Sequence, residues 1–307
     1  MKAVALTELT QRAPCSLRFQ VPLAPLTTFR AGGPAEVLAE PRTEAELLAL
    51  LRTLNALDLP HFYLGLGSNL LIADRGIRGV VIRACGELAA LSVNGSIVTA
   101  GPAARLLLMT TIAARHGLSG LEPLSGIPGT VGGGLWMNAG AYGGEICDAF
   151  MDVRVITPEL EITTLQKRDI HFSYRSAPEL RDKIVLSSRY QLTTGDSAQI
   201  FSEMRRVWQL RRQKQPIEFP SAGSIFKRPP GDFAGRLIEA SGCKELRIGG
   251  ARVPAKHAGI FINDRHASAT EIADLIRTVR RRVFEQFDVL LENEIIPVGF
   301  DGDPFAV

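Results

Sequence analysis

GLSGLEPLSGIPGTVGGGLWMNAGAYGG, residues 117–144, decides how the rest of the chain is read. It holds ten of the 29 glycines and a single charged residue, Glu122. Glycine at this density costs backbone entropy on folding, so neither a helix nor a strand is expected here. What the missing side chains leave is backbone N–H that can approach a ligand closely. Successive N–H groups in turns form concavities suited to a pyrophosphate. A flexible linker is the alternative, but linkers are polar and rich in Ser. Leu121, Leu124, Ile127, Val131, Leu135, Trp136 and Met137 instead require packing. The stretch reads as a ligand-binding loop.

Upstream of it, Thr43-Glu44-Ala45-Glu46 is a capping box, and Leu47, Leu48, Leu51 and Leu54 supply the apolar face of a helix ending near Asn55. A strand, HFYLGLG at 61–67, then runs into Ser68-Asn69-Leu70-Leu71-Ile72. Gly65-Leu66-Gly67-Ser68-Asn69-Leu70 resembles the opening of a dinucleotide fingerprint, but the third glycine is missing and a turn at Asp74-Arg75-Gly76 replaces the long helix. The doubly wound nucleotide fold is rejected on that ground. The turn can still present N–H groups and the Ser68 and Asn69 side chains to phosphate oxygens, and a plain tight turn is the equal alternative. A further strand at 79–83, a strand at 96–100 and a helix at 103–116, with Leu106, Leu107, Met109, Thr110 and Ala113 inward, complete an α+β order before the glycine-rich loop.

Downstream, 153–164 reads as a hairpin, 172–176 as a polar loop and 184–192 as a strand. Ser197–Lys214 is a helix with Ile200, Met204, Val207 and Trp208 on one side. Residues 216–236, PIEFPSAGSIFKRPPGDFAGR, form a second candidate ligand loop carrying Ser221, Ser224, Lys227 and Arg228. Ser268-Ala269-Thr270-Glu271 is another capping box, followed by a stripe of Ile272, Leu275, Ile276, Val279 and Val283. Residues 291–296 read as a strand on which Glu292 and Glu294 share a face.

At 307 residues the chain calls for two or three lobes. Its 46% hydrophobic and 22% charged content is ordinary for a globular protein, and a net charge of +3 gives no global attraction to nucleic acid. Cys15, Cys85, Cys147 and Cys243 form no CxxC pair, which argues against a zinc site or a disulfide framework. No apolar run of 18 residues and no signal-peptide pattern occur, so a cytoplasmic protein with no membrane span and no metal is expected.

The series TTFRAGGPA, GLGSNLLIADRG, LSGIPGTVGG with MNAGAYGGEI, FSYR, SAGSIFKRP and LENEI, in this order over roughly residues 20–298, resembles the UDP-N-acetylenolpyruvoylglucosamine reductases of bacterial peptidoglycan precursor synthesis. The short span between Arg175 and Ser224 is similar to the type II form, which lacks an inserted loop and its substrate tyrosine. The resemblance implies an FAD-binding fold of the vanillyl-alcohol-oxidase kind (two subdomains, 1–85 and 86–200) and an α+β substrate-binding domain at 201–307. It implies FAD and NADPH as cofactors, UDP-N-acetylglucosamine enolpyruvate as substrate and UDP-N-acetylmuramate as product. A monomer is expected.

On this resemblance, hydride passes from flavin N5 to C3 of the enolpyruvyl group, and Ser224 gives a proton to C2. A serine hydroxyl is a weak acid, but an enolate carbon is strongly basic and the transfer needs position more than acidity. Read from its loop alone, Ser224 is more simply a turn cap between Gly223 and Ile225. Arg175 offers a fixed fork of donors to the substrate carboxylate, and Glu294 is expected to be protonated beside it. Lys214 would meet the diphosphate as a point charge. Tyr174 would line the pocket, and Arg228 stands where type I members carry asparagine. The matched FAD positions are Gly65, Gly67, Ser68, Asn69 and Leu70, then Ser125, Gly126, Ile127, Pro128, Gly129 and Gly133, then Asn138, Ala139, Gly140 and Ala141, with Arg30 as a further candidate. The rival readings are another flavin-dependent oxidase or dehydrogenase of the same fold, which has no need of the SAGSIFKRP serine, and a non-catalytic flavin-binding module, which has no need of Ser224, Arg175 or Glu294.

Overall fold

In the computed structural model, which describes residues 3–307, helices and strands pack into two compact units. Among the described residues, the first comprises the chain up to Arg18, Leu38–Leu66 and Gly79–Leu210, and the second Phe19–Val37, Gly67–Arg78 and Arg211–Val307. The expected boundaries at 85/86 and 200/201 do not coincide with these breaks, because the chain leaves and re-enters each unit. The helix Ser197–Lys214 also runs unbroken through the second boundary. The expected first subdomain, 1–85, starts two residues before the described chain.

Unit one is built on a five-stranded antiparallel sheet in the order Ile162–Gln166, Phe150–Ile156, Ile184–Gln191, Ile97–Ala100, Leu91–Asn94. The expected hairpin is its first pair, with Val153 opposite Leu165 and Val155 opposite Thr163. Val98, Ala100, Val153, Val155 and Tyr190 from this sheet are buried with Leu106, Met109 and Ala113 of the helix Leu106–Arg115. Leu121, Leu124, Val131 and Leu135 of the glycine-rich stretch join the same core, and Ile127 and Trp136 pack against it. Leu107 is instead 55% exposed, and Ala114 takes its place in the buried stripe. In the helix Glu44–Ala56 the inward residues are Leu47, Leu50, Leu51 and Leu54, so Leu50 replaces Leu48. Thr43 caps it by accepting from the Glu46 amide at 3.1 Å, while the Glu46 carboxylate turns back to the Arg42 amide at 2.7 Å. The strand at 61–67 is shorter than expected, His61–Tyr63, pairing in parallel with Val80–Ile82.

The glycine-rich stretch departs most from expectation: Val131–Trp136 is helical. Thr130 caps it through a bond from the Gly133 amide to its Oγ1 at 3.3 Å, and Val131 and Leu135 anchor it in the core. Tertiary packing overrides the poor helix propensity of glycine here. At Gly132 the small residue has a packing reason, since a Cβ there would lie 3.0 Å from Pro102 Cβ.

In unit two, the helices Ala234–Ala240 and Ala269–Phe287 pack with the three-stranded sheet Arg247–Ile248, Ala251–Arg252, Ile262–Asn263 around Phe226, Phe261 and Phe305. The capping box at Ser268 and Glu271 is complete, and the whole stripe from Ile272 to Val283 is buried. Asp74 supports this helix start, its carboxylate accepting from the Ala269 and Thr270 amides at 2.7 and 2.9 Å. The expected strand at 291–296 is confined to Ile296–Val298, which pairs in parallel with Leu70–Ile72. Trp208, expected to face inward on Ser197–Lys214, is 50% exposed. No described helix is long and apolar enough to cross a membrane.

Candidate active site

Two clusters gather the expected site residues, one in each unit. In unit one, Asn138 is fully buried with a left-handed φ of 43°. Its side-chain amide donates to Glu145 Oε2 at 2.7 Å and to the Ser173 carbonyl at 3.0 Å. The second bond ties the glycine-rich stretch to the loop that carries Tyr174 and Arg175. That loop is closed by reciprocal amide–carbonyl bonds between Ser173 and Ser176, 3.0 Å each. Arg175 itself has a φ of 56°, donates from Nη2 to the Gly140 carbonyl at 2.9 Å, and lies 4.8 Å from the centre of the Tyr174 ring. Two non-glycine residues held in the left-handed region are backbone strain at a site the surrounding bonds over-determine. Asn138, Gly140, Tyr174 and Arg175 therefore form one cluster, as sequence order alone could not show. His171 is exposed on the approach to this loop.

The two glycine motifs also meet in unit one. A Cβ on Gly65 would lie 2.7 Å from Thr130 Oγ1. Beside this contact opens a small cleft whose lining includes Tyr63, Gly65, Arg83, Pro102, Arg105 and Thr130. Burial pushes the Tyr63 phenol well above its ordinary range, helped by Cys85. Arg83 keeps one carboxylate partner, Glu40 Oε1 at 3.5 Å. Sequence reading missed Tyr63, Arg83, Thr130 and Arg105. Thr130 alone carried a signal, a capping residue directly before an apolar position.

The residues fit a flavin dinucleotide. Three buried polar atoms have no protein partner here: the Tyr63 hydroxyl, Ser125 Oγ and Asn138 Oδ1. Such atoms are costly unless a ligand or water meets them. Two arginines and glycine backbone at the cleft suit an anionic ligand.

In unit two, Ser224 is exposed and lies between Gly223, with a φ of 73°, and the buried pair Ile225–Phe226. The Ile225 carbonyl accepts from the Glu294 amide at 2.8 Å and the Ile295 amide at 3.3 Å. Asn69 Nδ2 donates to the Glu294 carbonyl at 2.9 Å, and the Asn69 carbonyl accepts from the Ile296 amide at 3.0 Å. Ser224, Glu294 and Asn69 are thus brought together by main-chain bonds. Glu292 and Glu294 do not share an environment, because the segment is not a strand. The Glu292 side chain is 72% exposed and pairs with Lys227 Nζ at 2.5 Å, whereas Glu294 is half-buried.

Other expected residues lie outside these contacts. Lys214 is exposed at the last turn of its helix, and Arg228 lies 4.9 Å over the Phe233 ring. Arg30 has a φ of 53°, and its carbonyl accepts from Asn263 Nδ2 at 3.4 Å. The Gly67 carbonyl accepts from the Thr28 amide at 3.3 Å.

Comparison with known proteins gives the chain a family. The model of the FAD-binding domain matches residues 35–166, and that of the UDP-N-acetylenolpyruvoylglucosamine reductase C-terminal domain matches 215–298. The UDP-N-acetylenolpyruvoylglucosamine reductase of Streptococcus agalactiae is 43% identical over 284 residues, covering 92% of this chain and 94% of the relative. That of Levilactobacillus brevis is 44% identical over 280 residues, 91% of each. The crystal structure of the Thermus caldophilus reductase superposes with a TM-score of 0.80 at 36% identity, over 92% of this chain and 98% of that one. With this identity across nearly its whole length, the chain belongs to the UDP-N-acetylenolpyruvoylglucosamine reductase family and is an FAD-dependent oxidoreductase.

Proposed function

We propose that this enzyme uses NADPH to reduce UDP-N-acetylglucosamine enolpyruvate to UDP-N-acetylmuramate, a step of peptidoglycan precursor synthesis, with Ser224 as the proton donor. The observation that carries the reading is the shared Ile225 carbonyl, which fixes Glu294 to the residue next to Ser224. Bound FAD supplies hydride transfer, so that overall the enol ether and NADPH plus one proton give the saturated ether and NADP⁺.

The glycine-rich loops serve the cofactor, and Arg175 the carboxylate. Gly65, Ser125, Gly126, Ile127, Pro128, Gly129, Gly133, Ala139, Gly140 and Ala141 offer backbone to FAD, and Asn138 offers its free Oδ1. Gly67, Ser68, Asn69 and Leu70 contribute from the first loop. Arg175 stays charged and stabilises negative charge on the substrate carboxylate as C3 is reduced. Ser224 Oγ, exposed and held by its neighbour's main-chain bonds, hands its proton to C2. Glu294, carried neutral, donates to the same carboxylate, where an ionised side chain would repel it. Lys214, Arg228 and Tyr174 contact the nucleotide-sugar.

Two half-reactions separate these roles. Ser224→Ala should take up FAD and be reduced by NADPH normally, yet lose at least about 10³-fold, or roughly 4 kcal/mol of barrier, in oxidation by the enolpyruvyl substrate. Near-normal oxidation would remove Ser224 from the proton step. Glu294→Gln should be the milder of two substitutions and Glu294→Ala the harsher; equal damage would contradict a neutral donor.

A further inference from the structure

The Ser224 loop rests on a histidine that no role above uses. The Ile225 amide donates to the Gly259 carbonyl at 3.0 Å, and the Gly259 amide in turn donates to His257 Nδ1 at 3.2 Å. The half-buried imidazole lies against Gly259, for a Cβ there would come within 3.2 Å of His257 Cε1. The Ile260 amide closes the same turn on the His257 carbonyl at 3.3 Å. One ring nitrogen thus stands at the start of a relay that runs through Gly259 and Ile225 to the residues flanking Ser224 and Glu294.

We propose that His257 is a positioning residue for the proton-transfer step, its neutral Nδ1 holding the 257–260 turn on which the Ser224 loop is hung. The inference rests on the reading of Ser224 as donor. A backbone amide can only donate, so Nδ1 must be an acceptor and the ring must be neutral in this arrangement. Protonation would set N–H against N–H and release Gly259. Burial holds the ring's pKa below the ordinary histidine value, against a smaller upward pull from a hydrogen bond with its own backbone and with a still smaller downward push from Lys244. Lys244 is itself paired with Glu239 Oε1 at 2.6 Å, and the neighbouring Lys256 with Glu218 Oε2 at 3.5 Å. The turn therefore keeps its hold at neutral pH and loses it in acid.

Anaerobic stopped-flow on the FAD-loaded enzyme tests this by following flavin reduction by NADPH and re-oxidation by the enolpyruvyl substrate separately. His257→Phe deletes the acceptor and should slow re-oxidation by roughly tenfold, the worth of one hydrogen bond, while leaving reduction unchanged. His257→Asn places an amide oxygen where Nδ1 stood and cannot be protonated, so it should keep the neutral-pH rate and lack the acid fall of the wild type. Equal slowing of both half-reactions by His257→Phe, no slowing of either, or matching pH profiles for wild type and His257→Asn would overturn the proposal. If His257→Phe does not fold, the pH profile of His257→Asn decides alone. Failure of the underlying reading would show differently, as retained re-oxidation in Ser224→Ala.

Discussion

The glycine-rich cluster of unit one and the Ser224 crossing of unit two place functional groups by opposite means. In unit one a buried side chain does the placing. Asn138, strained at φ 43°, reaches to Glu145 and Ser173 and so fixes the loop of Arg175. In unit two the main chain does it, since the bonds joining residue 225 to 294 and 295 involve no side-chain atom. The lesson is one of sensitivity. The first arrangement fails by a single truncation, whereas the second tolerates side-chain change and loses only the chemistry of the residue removed.

Asn138→Ala should therefore have the largest effect on stability of the changes that probe this contrast. It strands the Glu145 carboxylate and the Ser173 carbonyl and puts alanine, which tolerates the left-handed region less well than asparagine, at φ 43°, at a cost of about 3 kcal/mol. Chemical denaturation would measure it, and a loss under about 1 kcal/mol would break the comparison, because a lone hydrogen bond is worth that much.

The two glycines beside the clusters sharpen it. Gly65→Val must push Thr130 aside, since even a Cβ meets its Oγ1 at 2.7 Å, and overpacking of this kind costs about 1–3 kcal/mol. The purified variant should carry less than one flavin per chain. Gly223→Ala meets nothing within 4 Å and bears only the strain of its φ of 73°, about 1 kcal/mol, with flavin content unchanged. Similar flavin loss in both would show that close packing at Gly65 is not what governs flavin retention.

The smallest effect is the pH dependence of stability. Burial lowers the pKa of His61 in unit one and of His257 in unit two. The unfolded chain takes up protons as pH falls through the ordinary value of 6.5, while the folded chain resists, so stability should drop as pH falls below that point and level off below the folded values. Thermal unfolding across this window should show the fall, and His257→Asn should remove the unit-two part of it.

Much of this was legible in the sequence for identifiable reasons. The helices Ser197–Lys214 and Ala269–Phe287 announced themselves by periodicity and, in the second, a complete capping box. The packed side of the glycine-rich stretch followed from Leu121, Leu124, Val131 and Leu135, which need a core. Its helix did not follow, because propensity argued against it and only the Thr130 cap and the contact with Pro102 made it possible. Leu107 and Trp208 were misplaced since apolar character does not say which side of a helix a neighbour covers. The tie from Asn138 to Ser173 spans 35 residues and the bond from Ile225 to Gly259, by which His257 supports the Ser224 loop, is also long-range, and no local pattern encodes either.

The most direct test of the account is an anaerobic visible spectrum of the FAD-loaded wild-type protein, taken after NADPH and again after UDP-N-acetylglucosamine enolpyruvate. NADPH should bleach the flavin absorption, and the enolpyruvyl substrate should restore it without oxygen. Bleaching that the substrate leaves unchanged would contradict the proposed reaction while leaving a flavoprotein with some other acceptor.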